Sequence, residues 1–274
     1  MILVTGYRGY IGNKLYNKLI SLNYDVIGID LKDGEDISSC LPKNKKIDYV
    51  FHLAALPRVE YSVLNPSYTM KQNVLVTSML LEWSKNNNVK RFIFSSSSAI
   101  YGNGDKPTSP YGLHKLISEM ECELYSKLYD LDTVSLRYFN VYSEDQPFGG
   151  TYSTVISAWM KMIKENKTLR IDGDGEQTRD FIHVNDIIDA NILCMNYKNK
   201  FNGNRYDVGS EKSVSINYIK NYIDKYNDVR WEKTPERKGD AKHTLANTTE
   251  LKKLGWQPKI DIENGLKLCF YKEK

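Results

Sequence analysis

Nothing in the 274 residues approaches the roughly 20 consecutive apolar positions needed to cross a bilayer. The chain opens directly on the strand-like run Met1-Ile2-Leu3-Val4-Thr5, so no signal peptide is expected and the cytosol is the expected compartment. Cysteine is scarce. Cys40, Cys122, Cys194 and Cys269 stand too far apart for a Cys-x-x-Cys metal or redox motif, and a chain of this length needs no disulfide staples, so buried thiols are expected and no metal site is. A block of one charge sign is also missing. The 38 Lys and Arg against 34 Asp and Glu leave a formal charge of +4, with basic and acidic residues interspersed, which argues against a nucleic-acid surface. Repeats, low-complexity segments and long linkers are absent. What remains, 41% hydrophobic and 26% charged residues, is the composition of a globular chain with one large domain or two small ones, and it excludes a disordered or fibrous protein.

From residue 2 to about residue 140, short apolar runs alternate with stretches of helical period, the pattern of βα units around a parallel sheet. Strands are predicted at Ile2–Thr5, Asp25–Asp30, Tyr49–Leu53, Arg91–Ser97 and Thr133–Phe139. After Tyr111, residues Leu113, Leu116, Ile117, Met120, Leu124 and Leu128 recur at three- and four-residue spacings and predict one buried stripe of a helix. Beyond residue 140 the turn-rich stretches 144–150 and 172–175 predict shorter elements in a smaller second domain. Asp180–His183 and a helix from Asn185 to about Met195 resemble the earlier βα units, and so predict a return to the first domain.

Between the first strand and a helix carrying Leu15, Leu19 and Leu22 lies Gly6-Tyr7-Arg8-Gly9-Tyr10-Ile11-Gly12. Glycines at this point allow a tight turn and close backbone approach to a pyrophosphate, and the helix start offers free N–H groups; any tight βα turn also uses them. Asp30 ends the second strand, where a carboxylate can accept from both ribose hydroxyls and repel a 2′-phosphate, favouring NAD over NADP; a turn or cap role suits the same residue. Asp36-Ile37 is an isolated pair suited to an adenine, acid to amino group and Ile to ring face.

Tyr111 and Lys115, four apart on a helix, share a face. A cation beside a phenol favours the phenolate, so the pair can act as a base near neutral pH, although the spacing alone is common on solvated helices. Ser95–Ser98 follow the fourth strand, whose carboxyl end is where open α/β sheets hold ligands.

Taken together, Gly6/Gly9/Gly12, His52-Leu53-Ala54-Ala55, Asn73-Val74, the serines with Tyr101-Gly102, Ser109-Pro110-Tyr111 with Lys115, Arg137–Tyr142, Gly173–Phe181, Gly239-Asp240 and Leu254–Pro258 resemble an extended short-chain dehydrogenase/reductase of the NAD-dependent epimerase/dehydratase family. The resemblance runs through nearly the whole chain. It implies an α/β fold: a Rossmann-type doubly wound parallel sheet over residues 1–142, with a return segment at about 180–198, and a smaller C-terminal α/β substrate-binding domain mainly over 143–274. It further implies Tyr111 as catalytic base, Lys115 on the nicotinamide ribose, and Ser97, four residues before Tyr101, on the reacting hydroxyl. NAD contacts would come from Gly6, Gly9, Gly12, the backbone at Tyr10-Ile11, Asp30, Asp36, Ile37, Leu53, Ala54, Ala55, Asn73 and Phe139. A nucleotide-diphosphate sugar would meet Asn140, Arg179, Arg237, Asp240 and Thr244, the arginines on the diphosphate.

Related 4,6-dehydratases carry Asp-Glu just after the active hydroxyl residue, and decarboxylases a Glu; Ser98 and Ala99 stand there instead, which implies a 4-epimerase. The small Thr244 implies room for a 2-acetamido group. Loops at 102–111 and 30–48 are shorter than usual, which implies a less enclosed NAD, and Pro57 and Arg58 stand at the pocket edge. A homodimer is implied through the helix after Asn73 and the helix of Tyr111, with Leu80, Leu81 and Trp83 either contributing or lying in the core. Two other readings are a 4-keto sugar reductase consuming NAD(P)H and a non-catalytic NAD-sensing protein, the second opposed by an intact Tyr111/Lys115 pair.

Overall fold

The computed structural model describes residues 1–104, 106–148, 154–236 and 242–271. Its strands are β1 (Ile2–Thr5), β2 (Val26–Ile29), β3 (Tyr49–His52), β4 (Arg91–Ser97), β5 (Thr133–Tyr138), β6 (Asn140–Tyr142), β7 (Leu169–Asp172), β8 (Thr178–His183), β9 (Arg205–Val208), β10 (Ser213–Ser215) and β11 (Trp231–Thr234). The helices are α1 (Tyr10–Ser21), α2 (Ile37–Cys40), α3 (Val59–Leu64), α4 (Pro66–Met70), α5 (Val76–Asn86), α6 (Pro110–Tyr129), α7 (Val155–Lys164), α8 (Val184–Asn196), α9 (Ile216–Tyr226), α10 (Thr249–Lys253) and α11 (Ile262–Phe270). No described helix is long and apolar enough to cross a membrane, and no described group of His, Cys, Asp and Glu is placed to hold a metal.

Six strands pair in parallel in the order β2-β1-β3-β4-β5-β9. Successive side chains on a strand point to opposite faces, and here both faces are apolar. Ile2, Val4, Phe51, Ile93 and Val134 pack with Leu15 and Leu19 of α1 and Ile187 and Cys194 of α8. Leu3, Val50, Phe92 and Phe94 pack with Leu80 and Leu81 of α5 and Cys122 of α6. The result is a doubly wound α/β sheet of Rossmann type. All five strands expected in the first half are present, three of them a residue shorter at one or both ends.

Three expectations need correction. β8 does not rejoin the large sheet; it pairs with β6 and β10 in a smaller one. The helix that follows it, α8, does return, and the sixth strand is β9, which no apolar run announced. Arg91 fastens this return: its guanidinium, 2.6 Å from Asp132, also donates to the carbonyls of Cys194, Tyr197 and Asn199. Second, the apolar stripe of α6 faces outward, with Leu113, Met120, Leu124 and Leu128 at 47, 58, 50 and 63% exposure, while Tyr111, His114, Lys115, Ser118, Glu119 and Cys122 form the buried face. Third, Cys122 and Cys194 are buried thiols, but Cys40 is exposed and Cys269 only partly covered.

A third core lies beneath the smaller sheet and the parallel pair β7–β11, built from Trp159 of α7, Ile219 and Ile223 of α9, Leu266 of α11 and Phe181 of β8.

Candidate active site

Parallel pairing puts the carboxyl ends of β1 to β5 along one edge, and chain order reverses between β1 and β3, the position where such sheets bind nucleotides. Directly after β1, Gly6 adopts φ 73°, and a Cβ there would lie 2.6 Å from the Ala54 backbone nitrogen. Only glycine therefore lets the turn lie against the loop leaving β3. Thr5 holds that loop from below, accepting from Leu53 N–H through its carbonyl (3.2 Å) and from Ala54 N–H through its hydroxyl (3.4 Å). Gly9 precedes α1, whose start has neither a side-chain cap nor an acid in its first turn, so its N–H groups are available to a phosphate. Gly12 and Ile11 are buried at the root of α1, and the Tyr10 hydroxyl bonds Ser143 at 2.6 Å.

Asp30 ends the cradle. Its two carboxylate oxygens accept from Arg8 N–H and Lys32 N–H, each at 2.9 Å, so the turn role and the ribose-reading position fall on one residue. A bare glycine turn, an uncapped helix start and a carboxylate one strand away are the donor set and shape that a dinucleotide requires, and the residues present fit NAD. Asp36 caps α2, accepting from Ser38 N–H at 2.8 Å, and Ile37 is in the core; neither has a contact here that marks an adenine site.

Asn73, in the π-turn Lys71–Leu75 between α4 and α5, brackets the loop after Ala55: its amide accepts from Leu56 N–H (2.7 Å) and donates to Leu56 carbonyl (3.1 Å). Phe139 is buried beyond β5, its N–H donating to Val208 carbonyl.

At the end of β4, Ser97 accepts from Ala99 N–H at 3.2 Å and stands near enough to the Tyr111 phenol to favour its ionised form. Local sequence fixes this meeting. Ser109 caps α6, Pro110 opens it, and the absent side chain of Gly112 lets the helix press on the Ala99 carbonyl, where a Cβ would collide. Ser62 of α3 accepts from Tyr111 N–H at 3.0 Å. Burial pushes the Tyr111 phenol up to about 12, with the Ser97 hydrogen bond pulling the other way. Burial likewise pushes the Lys115 ammonium down to about 8, opposed by the Glu119 charge. Lys115 Nζ donates to Ser95 carbonyl at 2.6 Å and lies 4.7 Å from the Phe94 ring and 6.0 Å from the Tyr111 ring.

Sequence reasoning missed the support beneath this group. Glu119 is fully buried and accepts from Ser96 Oγ (2.5 Å) and from Arg137 Nε and Nη2 (2.9 and 2.8 Å). Arg137 Nη1 donates to the Tyr101 hydroxyl, which donates to Asp207, both at 2.7 Å. The Tyr111, Lys115, Glu119 spacing on one helical face was the available signal.

Toward the smaller sheet, Asn140 Nδ2 donates to Asp180 carbonyl (3.0 Å) and Thr244 Oγ1 (3.3 Å), and Thr244 Oγ1 also accepts from Asp180 N–H (3.2 Å). Arg179 is buried nearby and donates to the carbonyls of Thr178 and Lys242. Asn140, Arg179 and Thr244 are thus brought together; Arg237 and Asp240 lie outside the described residues.

Residues 2–209, from β1 to the end of the large sheet, match the NAD dependent epimerase/dehydratase family model. Among solved structures, the chain is 32% identical to a UDP-glucose 4-epimerase of Thermotoga maritima with UDP-glucose, covering 98% of this chain and 97% of that one at TM-score 0.86. It is 33% identical to a UDP-N-acetylglucosamine 4-epimerase of Methanobrevibacter ruminantium in complex with UDP-N-acetylmuramic acid (98% and 96% covered, TM-score 0.86). It is 30% identical to a UDP-glucuronic acid 4-epimerase of Bacillus cereus in complex with UDP-glucuronic acid and NAD (98% and 97%, TM-score 0.87). With the glycine cradle at one end of the strand edge and the Ser97, Tyr111 and Lys115 group at the other, and with this match over most of its length, the chain belongs to the NAD dependent epimerase/dehydratase family of extended short-chain dehydrogenase/reductases.

Proposed function

We propose that the protein inverts C4 of a nucleotide-diphosphate sugar through a transient 4-keto sugar, without net oxidation. The observation that carries this reading is the group of half-buried Ser97 with buried Tyr111 and Lys115 at the strand edge, with Ser98 and Ala99, not an acid pair, in the turn that follows Ser97. The 4-epimerase names of the three structural relatives support it.

In this reading Ser97 orients the C4 hydroxyl and Tyr111 takes its proton. Lys115 supplies the positive charge that draws the phenol down from about 12 and holds the nicotinamide ribose. Bound NAD supplies the hydride chemistry. Gly6, Gly9, Tyr10, Ile11 and Gly12 would cradle its pyrophosphate, Asp30 would read the adenosine ribose, and Asp36, Ile37, Leu53, Ala54, Ala55, Asn73 and Phe139 would complete the contacts. Asn140 and Thr244 face the sugar, Arg179 and Arg237 the diphosphate, and Asp240 the same pocket. Thr244, small and with its hydroxyl tied to Asn140 and Asp180, leaves room for a 2-acetamido group; equal exclusion of acetamido sugars by wild type and Thr244→Tyr would remove that step.

The assembly is a homodimer through the outward apolar face of α6, where Leu113, Met120, Leu124 and Leu128 are exposed. Leu80 and Leu81 are fully buried in the core and take no part. Light scattering showing a monomer would overturn the assembly.

The test is incubation with UDP-glucose, UDP-galactose, UDP-glucuronate and the UDP-N-acetylhexosamines, separating products while following NADH absorbance. Interconversion of C4 epimers without net absorbance change, lost in Tyr111→Phe, is the expected result. Stoichiometric NADH consumption would replace it with a reductase.

A further inference from the structure

Beside the glycine turn lies a hollow of about 450 Å3 lined by Tyr7, Arg8, Asn13, Tyr16, Asn17 and Lys32. Two lining groups are cations, two are amides, and none is acidic. Such a set suits a phosphate monoester, which carries a charge of about −1.5 to −2 and three acceptor oxygens. A guanidinium fork is the strongest single partner for it. Arg8 and Lys32 also flank the carboxylate of Asp30, to which both donate their backbone N–H groups, so the hollow adjoins the position where the 2′ oxygen of an adenosine ribose is read.

The Arg8 fork is occupied. Its Nε donates to Asp33 at 3.0 Å, its Nη2 lies 2.7 Å from the other Asp33 oxygen, and the Tyr7 hydroxyl donates to the same carboxylate at 2.6 Å. Lys32 Nζ in turn donates to Arg8 carbonyl at 3.0 Å, tying the two turns together. We propose that Asp33 is a coenzyme-specificity residue: by engaging the Arg8 guanidinium it closes a formed 2′-phosphate subsite, so that preference for NAD over NADP rests on Asp33 as well as on Asp30. Asp33 and Arg8 are solvent-facing, at 21 and 50% side-chain exposure, and surface pairs of this kind contribute little to folding, so the device can be opened without unfolding the turn. The proposal rests on the placement of the adenosine ribose at Asp30.

Equilibrium titration calorimetry with NAD+ and NADP+ on wild type, Asp33→Asn, Arg8→Ala/Asp33→Asn and Asp30→Ala tests it. Asp33→Asn is expected to raise NADP+ affinity about tenfold or more while changing NAD+ affinity less than about threefold, because one repelling charge is removed and one guanidinium freed. Adding Arg8→Ala is expected to abolish the gain. An unchanged NADP+/NAD+ affinity ratio in Asp33→Asn, or a gain that survives loss of Arg8, overturns the role of Asp33 while a weakened NAD+ affinity in Asp30→Ala leaves the ribose placement standing. Unaltered NAD+ binding by Asp30→Ala overturns the placement and the proposal together.

Discussion

Removing the charge of Glu119 should unsettle the protein more than removing any exposed acid. The Glu119 carboxylate is fully buried and accepts three hydrogen bonds, two of them from the Arg137 fork, whose side chain is itself 16% exposed. Glu119→Gln preserves shape and one acceptor oxygen but removes the charge, leaving Asp207, at 4.0 Å, as the carboxylate beside Arg137, with the Tyr101 hydroxyl as a neutral partner. Breaking a buried pair by neutralising one side costs about 3–5 kcal/mol, since an uncompensated charge stays inside. Against a typical total of about 5–15 kcal/mol, that is a large share of the stability. Urea unfolding followed by far-UV circular dichroism should show this loss. Arg137→Met in the Glu119→Gln background should restore part of it, because the uncompensated guanidinium is then gone. A single-variant loss below about 1 kcal/mol, or a double variant whose loss is the sum of the two singles, would refute the argument. The same substitution removes the charge that opposes burial of the Lys115 ammonium, so the Lys115 titration should move further below about 8.

Lys115→Met should raise the acid limb of the kcat profile by about 1–3 pH units, because the proposed base Tyr111 loses a cation lying 6.0 Å from its ring; pH–rate measurements check this, and an unmoved limb would count against the pairing. Gly112→Ala should lower kcat while leaving NAD+ affinity within about threefold, because a Cβ pressing on the Ala99 carbonyl shifts Tyr111 relative to Ser97 without touching the glycine turn; steady-state kinetics beside calorimetry separates the two. His52 is held between Thr5 Oγ1 (2.7 Å) and Thr77 Oγ1 (2.9 Å), and burial, with a smaller push from the Lys115 charge, holds its imidazole down to about 3. Below about pH 6.5 the unfolded chain takes up a proton that the folded chain refuses, so stability should fall as pH drops from about 6.5 toward 3. Between pH 7 and 5 this one group accounts for about 2 kcal/mol, a dependence that His52→Gln should flatten in urea titrations at the two pH values.

Much of the large sheet was legible because its strands are short apolar runs bounded by turns, the signal that burial on both faces produces. β9 was not. Two of its four residues, Arg205 and Asp207, are charged, and each is satisfied by partners distant in sequence: Arg205 pairs with Glu123, and Asp207 accepts from the Tyr101 hydroxyl and Asn247 N–H. Local polarity hides such a strand until the fold supplies the partners. β8 failed for the converse reason. Its apolar pattern is that of a buried strand, but a pattern does not say which sheet buries it, and pairing with β6 and β10 settled that. At the site, Ser97, Tyr111 and Lys115 could be named from spacing and resemblance, whereas the bracketing of the Leu56 loop by Asn73 joins residues 17 apart in sequence and no local pattern announces it.

The inversion of α6 shows why the chemistry and the misreading have one cause. A helix is normally oriented by its apolar stripe, since each fully buried large side chain contributes about 1.5–3 kcal/mol. On that argument Leu113, Met120, Leu124 and Leu128 belong inside. The opposite face lies inside because three of the polar groups it buries meet built partners: Lys115 the Ser95 carbonyl, Ser118 the Asn73 carbonyl, and Glu119 the Ser96 hydroxyl and the Arg137 fork, while His114 Nδ1 is buried without one. Those partners offset desolvation, and the same desolvation brings the Lys115 ammonium down to about 8 and the Tyr111 phenol up to about 12. Turned the conventional way, α6 would expose Tyr111 and Lys115 to water, where neither would be perturbed from its ordinary range. The outward leucines are then what that orientation leaves over, an apolar surface larger than a solvated helix normally shows, and a second copy of the chain is the covering that the proposed dimer provides.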